Sequence, residues 1–134
     1  MTTYLSPHFT DDELRCPHCG KYRITPGLLK LVEKVRSILG DKPMIVHSAY
    51  RCSAHNAEVG GKPNSRHTKG EAMDFHVTGM PPAQIYICLT SAWQHGELAE
   101  LGGIGLYDWG VHIDTAKAAN GHLRQWDNRN EAKA

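Results

Sequence analysis

The stretch Ala72-Met-Asp-Phe-His-Val77 has the alternation expected of a strand that is buried on one face only. Because successive side chains of a strand point to opposite faces, Met73, Phe75 and Val77 are predicted to face a core while Asp74 lies on the open face. A carboxylate on the open face is well placed to act as a ligand. The pattern therefore predicts a sheet whose polar face carries the functional site.

A second alternating stretch, Val111-His-Ile-Asp-Thr115, follows Leu101-Gly-Gly-Ile-Gly-Leu-Tyr107. The segment Asp108-Trp-Gly110 between them has the composition of a tight turn, so two joined strands are predicted. His112 and Asp114 share one face of the second strand, since they are two residues apart. His112 is thereby brought into consideration as a partner for the polar face of the first strand.

Helices are predicted on both sides of these strands. Residues 25–40 have Thr25 as an N-cap, a proline at the first helical position, a glycine at the end and one apolar stripe at helical spacing. Residues 82–95 form a second candidate with one apolar face. The capping-box spacing of Thr10 and Glu13 predicts a short helix near the amino terminus.

The remaining segments complete the predicted fold class. Met44-Ile-Val-His-Ser-Ala49 reads as a strand, and residues 51–70 are so rich in helix- and strand-breaking residues that a long ordered loop is expected. Helices among short strands without regular βαβ alternation indicate an α+β domain with a small antiparallel sheet and flanking helices. We expect one domain over residues 1–134, with a motif-bearing core at about 6–115 and a polar tail at about 121–134.

Composition excludes several functions. A chain of 134 residues fits one compact domain. The formal net charge of +1 predicts no nucleic-acid partner, and the absence of a long apolar run predicts no membrane partner. The start Met1-Thr-Thr-Tyr-Leu-Ser-Pro7 lacks the features of a secretory signal, so we expect cytoplasmic synthesis. We expect a monomer.

A candidate metal site emerges from His67, Asp74 and His112. Asp74 follows His67 by seven residues, and Gly70 offers the turn that would bring the two side chains together. Two imidazoles and one carboxylate leave a tetrahedral zinc ion one open position, as in catalytic zinc sites. Because the chain has 9 histidines, an arrangement of unrelated surface histidines is the alternative.

The four cysteines allow a second, weaker interpretation. Cys16-Pro-His-Cys19 looks like half of a zinc ribbon, but Cys52 and Cys88 are isolated in the sequence. In a reducing compartment free thiols are the default. Whether Cys16 and Cys19 bind a metal or pair with other cysteines stays open.

Several motifs resemble the zinc D-Ala-D-Ala carboxypeptidase family, peptidase M15. The resemblance spans roughly residues 6–115 and is most specific in an S-x-H-x-x-G-x-A-x-D block followed by H-x-D, with an arginine sixteen residues before the first histidine ligand. The matching stretches are Ser48-Ala-Tyr-Arg51, His55-Asn56, Val59-Gly-Gly61, Ser65-Arg-His67, Gly70-Glu-Ala-Met-Asp74 and Val111-His-Ile-Asp114.

The resemblance implies a fold shared with hedgehog amino-terminal domains and one catalytic Zn²⁺ held by His67, Asp74 and His112. It further implies hydrolysis of D-amino-acid-containing stem peptides of bacterial peptidoglycan, by a DD-carboxypeptidase or endopeptidase or by an L-alanyl-D-glutamate endopeptidase. Small members look like phage or prophage lysis enzymes, so the protein is expected to reach the cell wall after release or as part of a virion.

The chain departs from the family pattern where a general base is expected. Many relatives carry an acidic residue three positions before the last histidine ligand, whereas Trp109 stands there in this chain. Asp114 is the first choice for the base or for a residue that orients His112, and Asp108 is the alternative. Arg51 is expected to bind the substrate carboxylate or the oxyanion, for which a planar guanidinium is suited.

Two residues are candidates for substrate binding. Ser65 matches a family position near the substrate, although its hydroxyl can equally stabilise the loop. Trp109 precedes His112 in the turn and can line the cleft. Because Trp109 replaces the expected acid, the alternative function is a non-catalytic zinc-containing wall-binding or virion-structural module. A hydrolase of other D-amino acid peptides is a further possibility.

Overall fold

A computed structural model describes residues 2–62 and 65–129 of the chain. It contains helices and strands in mixed order, so the predicted α+β class is confirmed. The elements are β1 Tyr4–Ser6, β2 Phe9–Thr10, α1 Asp11–Leu14, α2 Pro26–Ile38, β3 Met44–Ser48, α3 Ser53–Glu58, a 3-10 helix Arg66–Lys69, β4 Ala72–Val77, α4 Pro82–Gln94, β5 Gly103–Leu106, β6 Val111–Asp114 and β7 Arg124–Asp127.

The main sheet has five strands in the order β3-β4-β6-β5-β7, and β1 pairs with β2 in a separate two-stranded sheet. All neighbours in the main sheet are antiparallel except β5 and β7, which run parallel. The prediction of a polar tail from about residue 121 is therefore wrong for Arg124–Asp127. An edge strand with polar, partly exposed side chains lacks the apolar alternation by which strands are recognised. Residues 130–134 of that tail lie outside the described residues.

One face of the main sheet is buried, as the alternating pattern predicts, and it shares a single hydrophobic core with α2 and α4. Thr25 accepts a hydrogen bond from the backbone N–H of Leu28 at 3.2 Å, which caps α2 as expected. Burial of this apolar face is the main favourable term for such a fold. Its fully or nearly fully buried residues include Leu28, Leu31, Val32 and Val35 of α2, Ile85, Leu89 and Ala92 of α4, and Met73, Phe75, Val77, Ile104, Val111 and Ile113 of the sheet.

The segment from residue 51 to 70 is more regular than predicted. It contains α3 and the 3-10 helix, so the expectation of an irregular loop is wrong for these parts. Cys52 caps α3 by accepting a hydrogen bond from the N–H of His55, and Ser65 caps the 3-10 helix by accepting one from His67. Cysteine is not a usual capping residue, which explains why no helix is predicted here from local pattern. Pro63 and Asn64 lie outside the described residues.

Within residues 2–62 and 65–129, none of the helices has both the length and the apolar character that crossing a membrane requires.

Candidate metal centre

The strand register places two of the predicted ligands side by side. Asp74 of β4 is the direct cross-strand partner of His112 of β6. Directly opposed residues share one face of an antiparallel sheet and lie within side-chain reach of each other. Nδ1 of His112 lies 2.7 Å from Oδ1 of Asp74. The face predicted to be functional therefore carries a carboxylate and an imidazole in contact.

His67 reaches the same carboxylate from the 3-10 helix. Its Nε2 lies 3.1 Å from Oδ1 of Asp74, and the side chain is almost completely buried. Gly70 ends the 3-10 helix in a left-handed conformation with φ of 71°. A Cβ at Gly70 would lie 2.6 Å from the carbonyl oxygen of Arg23, so only glycine fits this turn. The predicted turn between His67 and Asp74 is confirmed.

The donor set fits a zinc ion. One ligand atom each from His67, Asp74 and His112 lie within 4.8 Å of one another. The other nitrogen of each imidazole faces an acceptor: Nδ1 of His67 lies 2.7 Å from the carbonyl oxygen of Ala49, and Nε2 of His112 lies 2.8 Å from Oδ2 of Asp114. Such outer partners fix the tautomer and orientation of metal-binding histidines. The lone pairs of Nε2 of His67 and Nδ1 of His112 are thus free to face a metal beside Asp74.

Without metal, the site holds a charged network. Burial opposes ionisation of Asp74, but hydrogen bonds from His112 and His67 keep the pKa of Asp74 well below its usual range. Burial also opposes a charge on His112, yet Asp114 and Asp74 outweigh it and raise the pKa of His112 to about 9. The metal-free site therefore keeps a proton on His112 at neutral pH. A metal must displace that proton to bind.

Asp114 lies behind His112 and is anchored by Arg124. Its side chain is 1% exposed, and Oδ2 accepts a hydrogen bond from Nη2 of Arg124 at 2.8 Å. The backbone N–H of Ala116 donates to Oδ1 at 3.0 Å. Burial opposes ionisation of Asp114, while His112, Arg124 and this N–H lower its pKa. Asp114 is consequently a buried, ionised partner of His112.

Two glycines on β5 make room for this arrangement. Gly105 lies opposite His112 on one side and Trp126 of β7 on the other. A Cβ at Gly105 would come within 2.2 Å of Nε1 of Trp126, and one at Gly103 within 2.6 Å of the guanidinium of Arg124. Glycine at both positions therefore lets side chains from the edge strand cover the sheet beside the predicted ligands.

The three predicted ligands line a cleft of about 760 Å³. Arg51, Ser65 and Trp109, the residues predicted to act on or bind substrate, all line it. Its other lining residues are Val59, Gly60, Lys62, His67, Asp74, Tyr107, His112, Trp126 and Asn128.

Arg51 and Ser65 are in contact at the cleft wall. Nη2 of Arg51 donates a hydrogen bond to Oγ of Ser65 at 3.2 Å, and the backbone N–H of Arg51 donates to the carbonyl oxygen of His67 at 3.2 Å. Burial lowers the pKa of Arg51, while Asp74 and Cys16 act in the opposite direction. Ser65 also caps the 3-10 helix, as expected if its hydroxyl stabilises the loop. The hydrogen bond between Ser65 and Arg51 also holds the guanidinium of Arg51 at the cleft.

Aromatic side chains form another wall. The rings of Tyr107 and Trp109 stack with centroids 4.9 Å apart, and Trp109 is 40% exposed. Nε1 of Trp126 donates a hydrogen bond to the hydroxyl of Tyr107 at 2.9 Å. Sequence reasoning missed Tyr107 and Trp126 as cleft residues. Arg124 and Trp126, two residues apart, share one face of β7, and this spacing was the available signal for the strand. The polar residues around them predict a tail instead.

Neither candidate for the general base lines the cleft. Asp114 is buried behind His112, and Asp108 is an exposed residue of the turn between β5 and β6. Among the cleft-lining residues that the structure describes, Asp74 supplies the only carboxylate. Of the two roles predicted for Asp114, general base or residue that orients His112, its geometry fits the second.

Comparison with known proteins agrees with this geometry. The sequence pattern of the Peptidase M15 family matches residues 7–114. Over 103 residues, 71% of this chain and 53% of the relative, the chain is 36% identical to the peptidoglycan L,D-endopeptidase MepK of Escherichia coli (strain K12). Over 95 residues, 71% of this chain and 34% of the relative, it is 32% identical to the zinc D-Ala-D-Ala carboxypeptidase of Streptomyces albus G. The chain thus spans about half or less of the length of these relatives. By the extent of the family match, the chain belongs to the peptidase M15 family.

Proposed function

We propose that this protein is a zinc peptidase that hydrolyses D-amino-acid-containing stem peptides of bacterial peptidoglycan. The observation that carries the proposal is the convergence of His67, Asp74 and His112 within 4.8 Å at an open cleft. Both relatives are named as peptidases, one of peptidoglycan and one of a D-Ala-D-Ala bond, which supports the substrate class. Three protein ligands would leave one of four zinc positions free, as catalytic sites require.

Zinc held by these residues would supply a Lewis acid for the scissile carbonyl and would lower the pKa of the attacking water toward about 7. Asp114 has a positioning role in this scheme. It holds Nε2 of His112 at 2.8 Å, which turns Nδ1 toward the proposed metal position. Arg124 fixes Asp114 in turn through a two-nitrogen, two-oxygen contact.

Hydrolysis requires the attacking water to lose a proton and the departing amine to gain one. Asp74 would bind the metal through one carboxylate oxygen, and we propose that its other oxygen accepts the proton of the water and returns it to the amine. This assignment follows from the absence of any other carboxylate among the cleft-lining residues in the described part of the chain.

Arg51 supplies positive charge to the cleft near Asp74, one of the proposed ligands. Its guanidinium is partly buried and is oriented by Ser65, so it enters the reaction with its donors already aligned. We propose that it binds the carboxylate of the peptide or the developing oxyanion. Trp109, which lines the cleft, is partly exposed and stacks on Tyr107, offers an apolar surface for the peptide.

The setting we propose, lysis of a bacterial wall by a phage or prophage, rests on the family resemblance. If this holds, the zinc-loaded protein added to bacteria with permeabilised outer membranes reduces turbidity. A turbidity unchanged at a protein dose that digests isolated peptidoglycan would count against the lytic role while leaving the peptidase in place.

The peptidase itself is tested by digestion of purified peptidoglycan with the zinc-loaded protein and mass spectrometry of the released fragments. His67→Ala removes a proposed ligand, and His122→Ala, at an exposed histidine, is the matched control. We expect zinc-dependent stem-peptide fragments with the wild type and with His122→Ala, and none with His67→Ala. The fragment masses identify the bond.

Other outcomes separate the alternatives. Intact peptidoglycan beside protein that retains stoichiometric zinc would contradict the peptidase and favour the wall-binding or virion-structural module. Cleavage of soluble D-amino acid dipeptides without any action on peptidoglycan would instead favour a hydrolase of other D-amino acid peptides.

A further inference from the structure

Three of the four cysteines converge at a second place in the fold. The sulfur atoms of Cys16, Cys19 and Cys52 lie within 4.8 Å of one another, and Sγ of Cys16 lies 3.8 Å from Sγ of Cys52. The interpretation of Cys52 as isolated is therefore wrong, because α3 begins beside the turn that follows α1. The structure describes Cys88 too, and it lies apart from this group on α4.

The turn that carries two of these cysteines has the form of a metal-binding knuckle. Cys16 and Cys19 have the C-x-x-C spacing of structural zinc sites. The N–H of Gly20 donates to the carbonyl oxygen of Cys16 at 2.9 Å, and Gly20 adopts a left-handed φ of 73°. The turn thereby directs both sulfurs to the same side, toward Cys52.

Further polar atoms face the sulfurs. The N–H of Cys52 points at Sγ of Cys16, and the N–H of His55 at Sγ of Cys52, each at 3.5 Å. Such N–H donors stabilise a thiolate, which is the form of cysteine that binds metals. Nδ1 of His18 lies 3.6 Å from Sγ of Cys52. Three sulfurs and one imidazole nitrogen are the donors of a Cys₃His zinc site.

A disulfide explains these contacts less well. At 3.8 Å the sulfurs of Cys16 and Cys52 are well beyond the bonded distance of about 2.05 Å, and all cysteines are free. A pair of cysteines would also leave the third thiol without a role. The convergence of three sulfurs, with an imidazole nitrogen against one of them, is what a metal site requires.

We propose that Cys16, Cys19, Cys52 and His18 bind a second, structural zinc ion. Four protein ligands leave no open position, so this ion would not act on substrate. It would tie the turn after α1 to the start of α3. Cys52 directly follows Arg51, so the ion would hold the backbone that presents Arg51 to the cleft. The site needs no assumption about the activity of the protein.

The test is the zinc content of the full chain, purified with reductant and measured by inductively coupled plasma mass spectrometry. We expect two zinc ions per chain for the wild type and for the control Cys88→Ser. His67→Ala and Cys19→Ser should each retain one, since each removes a ligand of a different site. Cys19 is exposed, so its replacement leaves the core intact, and the zinc that remains at the other site reports that the variant is folded.

Cobalt substitution identifies the donors. His67→Ala loaded with Co²⁺ should show the intense sulfur-to-cobalt charge-transfer band, and Cys19→Ser should lose it. His18→Ala should lose metal from this site to a chelator that leaves the wild type loaded. An unaffected His18→Ala variant would remove histidine from the ligand set and so overturn the four-ligand site.

Alkylation supplies a second measurement that does not depend on a variant. Zinc should protect the exposed Cys19 of the wild type from iodoacetamide, and a chelator should restore its reactivity. One zinc per wild-type chain with none in His67→Ala, or a Cys16–Cys52 disulfide that persists under reductant, would overturn the proposal.

Discussion

Nε2 of His112 lies 2.8 Å from Oδ2 of Asp114, while Nδ1 of the same ring lies 2.7 Å from Asp74. One imidazole thus bridges two carboxylates, of which one faces the cleft and the other is buried. Asp114 reaches the proposed zinc only through the ring of His112. We therefore propose that Asp114 orients His112 and that a group in the cleft transfers the proton.

Asp114→Asn should therefore weaken zinc binding together with activity. The amide keeps the shape but loses the charge that holds His112 and pairs with Arg124, and loss of such an outer partner costs about 10- to 100-fold in metal affinity or activity. Zinc affinity and hydrolysis of stem peptides are measured on the same protein. Asp108→Asn, at an exposed residue outside the cleft, is the control and should stay near wild type.

A different combination of zinc affinity and turnover in these variants would identify Asp114 or Asp108 as the general base. If Asp114→Asn kept full zinc affinity but lost turnover and the acidic limb of its pH–rate profile, Asp114 would be the base. The same result for Asp108→Asn would transfer that role to the turn.

Arg51→Lys should impair turnover and leave zinc binding intact. Lysine keeps the charge but lacks the planar fork that contacts Ser65 and, in our account, the substrate, and loss of one aligned donor costs about 10²- to 10³-fold in kcat. Arg66→Lys, at a half-exposed arginine paired with Glu71, is the matched control. Steady-state kinetics and zinc content check the pair. Wild-type kinetics of Arg51→Lys would contradict a specific role for the guanidinium.

Gly105→Ala should disturb the cleft through Trp126. The added Cβ would meet the indole at 2.2 Å, and crowding of this kind typically costs about 1–3 kcal/mol in the free energy of unfolding. Denaturant unfolding followed by tryptophan fluorescence measures stability and the displacement of the ring. Gly27→Ala, in α2, is the control and should be neutral or slightly stabilising, since its Cβ would lie 4.0 Å from Cγ2 of Thr115. Equal stability of the two variants would contradict the close approach at Gly105.

Zinc binding should release protons, and its affinity should rise with pH. The pKa of His112 is raised to about 9 in the metal-free protein, so below that pH zinc has to displace a proton from the ring. Calorimetric titrations in buffers of different ionisation enthalpy count the protons released. A zinc affinity that stays constant from about pH 6 to about pH 9 would contradict a protonated His112.

The same pKa has a consequence for the metal-free protein. A histidine whose pKa is higher in the folded state than in the unfolded state stabilises the fold at pH below its unfolded pKa of about 6.5. That contribution fades as the pH rises through about 9, the folded pKa of His112. Asp74 contributes with the opposite sign: its lowered pKa adds stability above its unfolded pKa, and this is lost in acid.

Local patterns were sufficient to predict the ligand-bearing strands. Alternation in Ala72–Val77 and Val111–Asp114 correctly placed the apolar residues in the core and Asp74 and His112 on the other face, although Asp114 on that face is buried as well. The N-cap at Thr25 and the turn at Gly70 are likewise local, and the structure confirms them. The convergence of His67, Asp74 and His112 depends on strand register, so spacing alone left unrelated surface histidines as an alternative, and the family resemblance favoured the metal site.

What the sequence did not reveal depends on long-range contact. Trp126 and Arg124 belong to an edge strand that pairs parallel to β5. Their local sequence pattern does not predict this pairing. Cys52 meets Cys16 across 36 positions of the chain, so spacing alone left it isolated. The separation of Asp114 from the cleft likewise follows from the three-dimensional position of Arg124 rather than from the H-x-D motif.

Whether zinc sits between His67, Asp74 and His112 is tested most directly by anomalous diffraction at the zinc edge from crystals of the zinc-loaded protein. We expect a peak about 2.0–2.2 Å from Nε2 of His67, an oxygen of Asp74 and Nδ1 of His112, with no fourth protein ligand. A zinc peak away from these atoms, coordination of His112 through Nε2, or a fourth protein ligand that closes the site would contradict it.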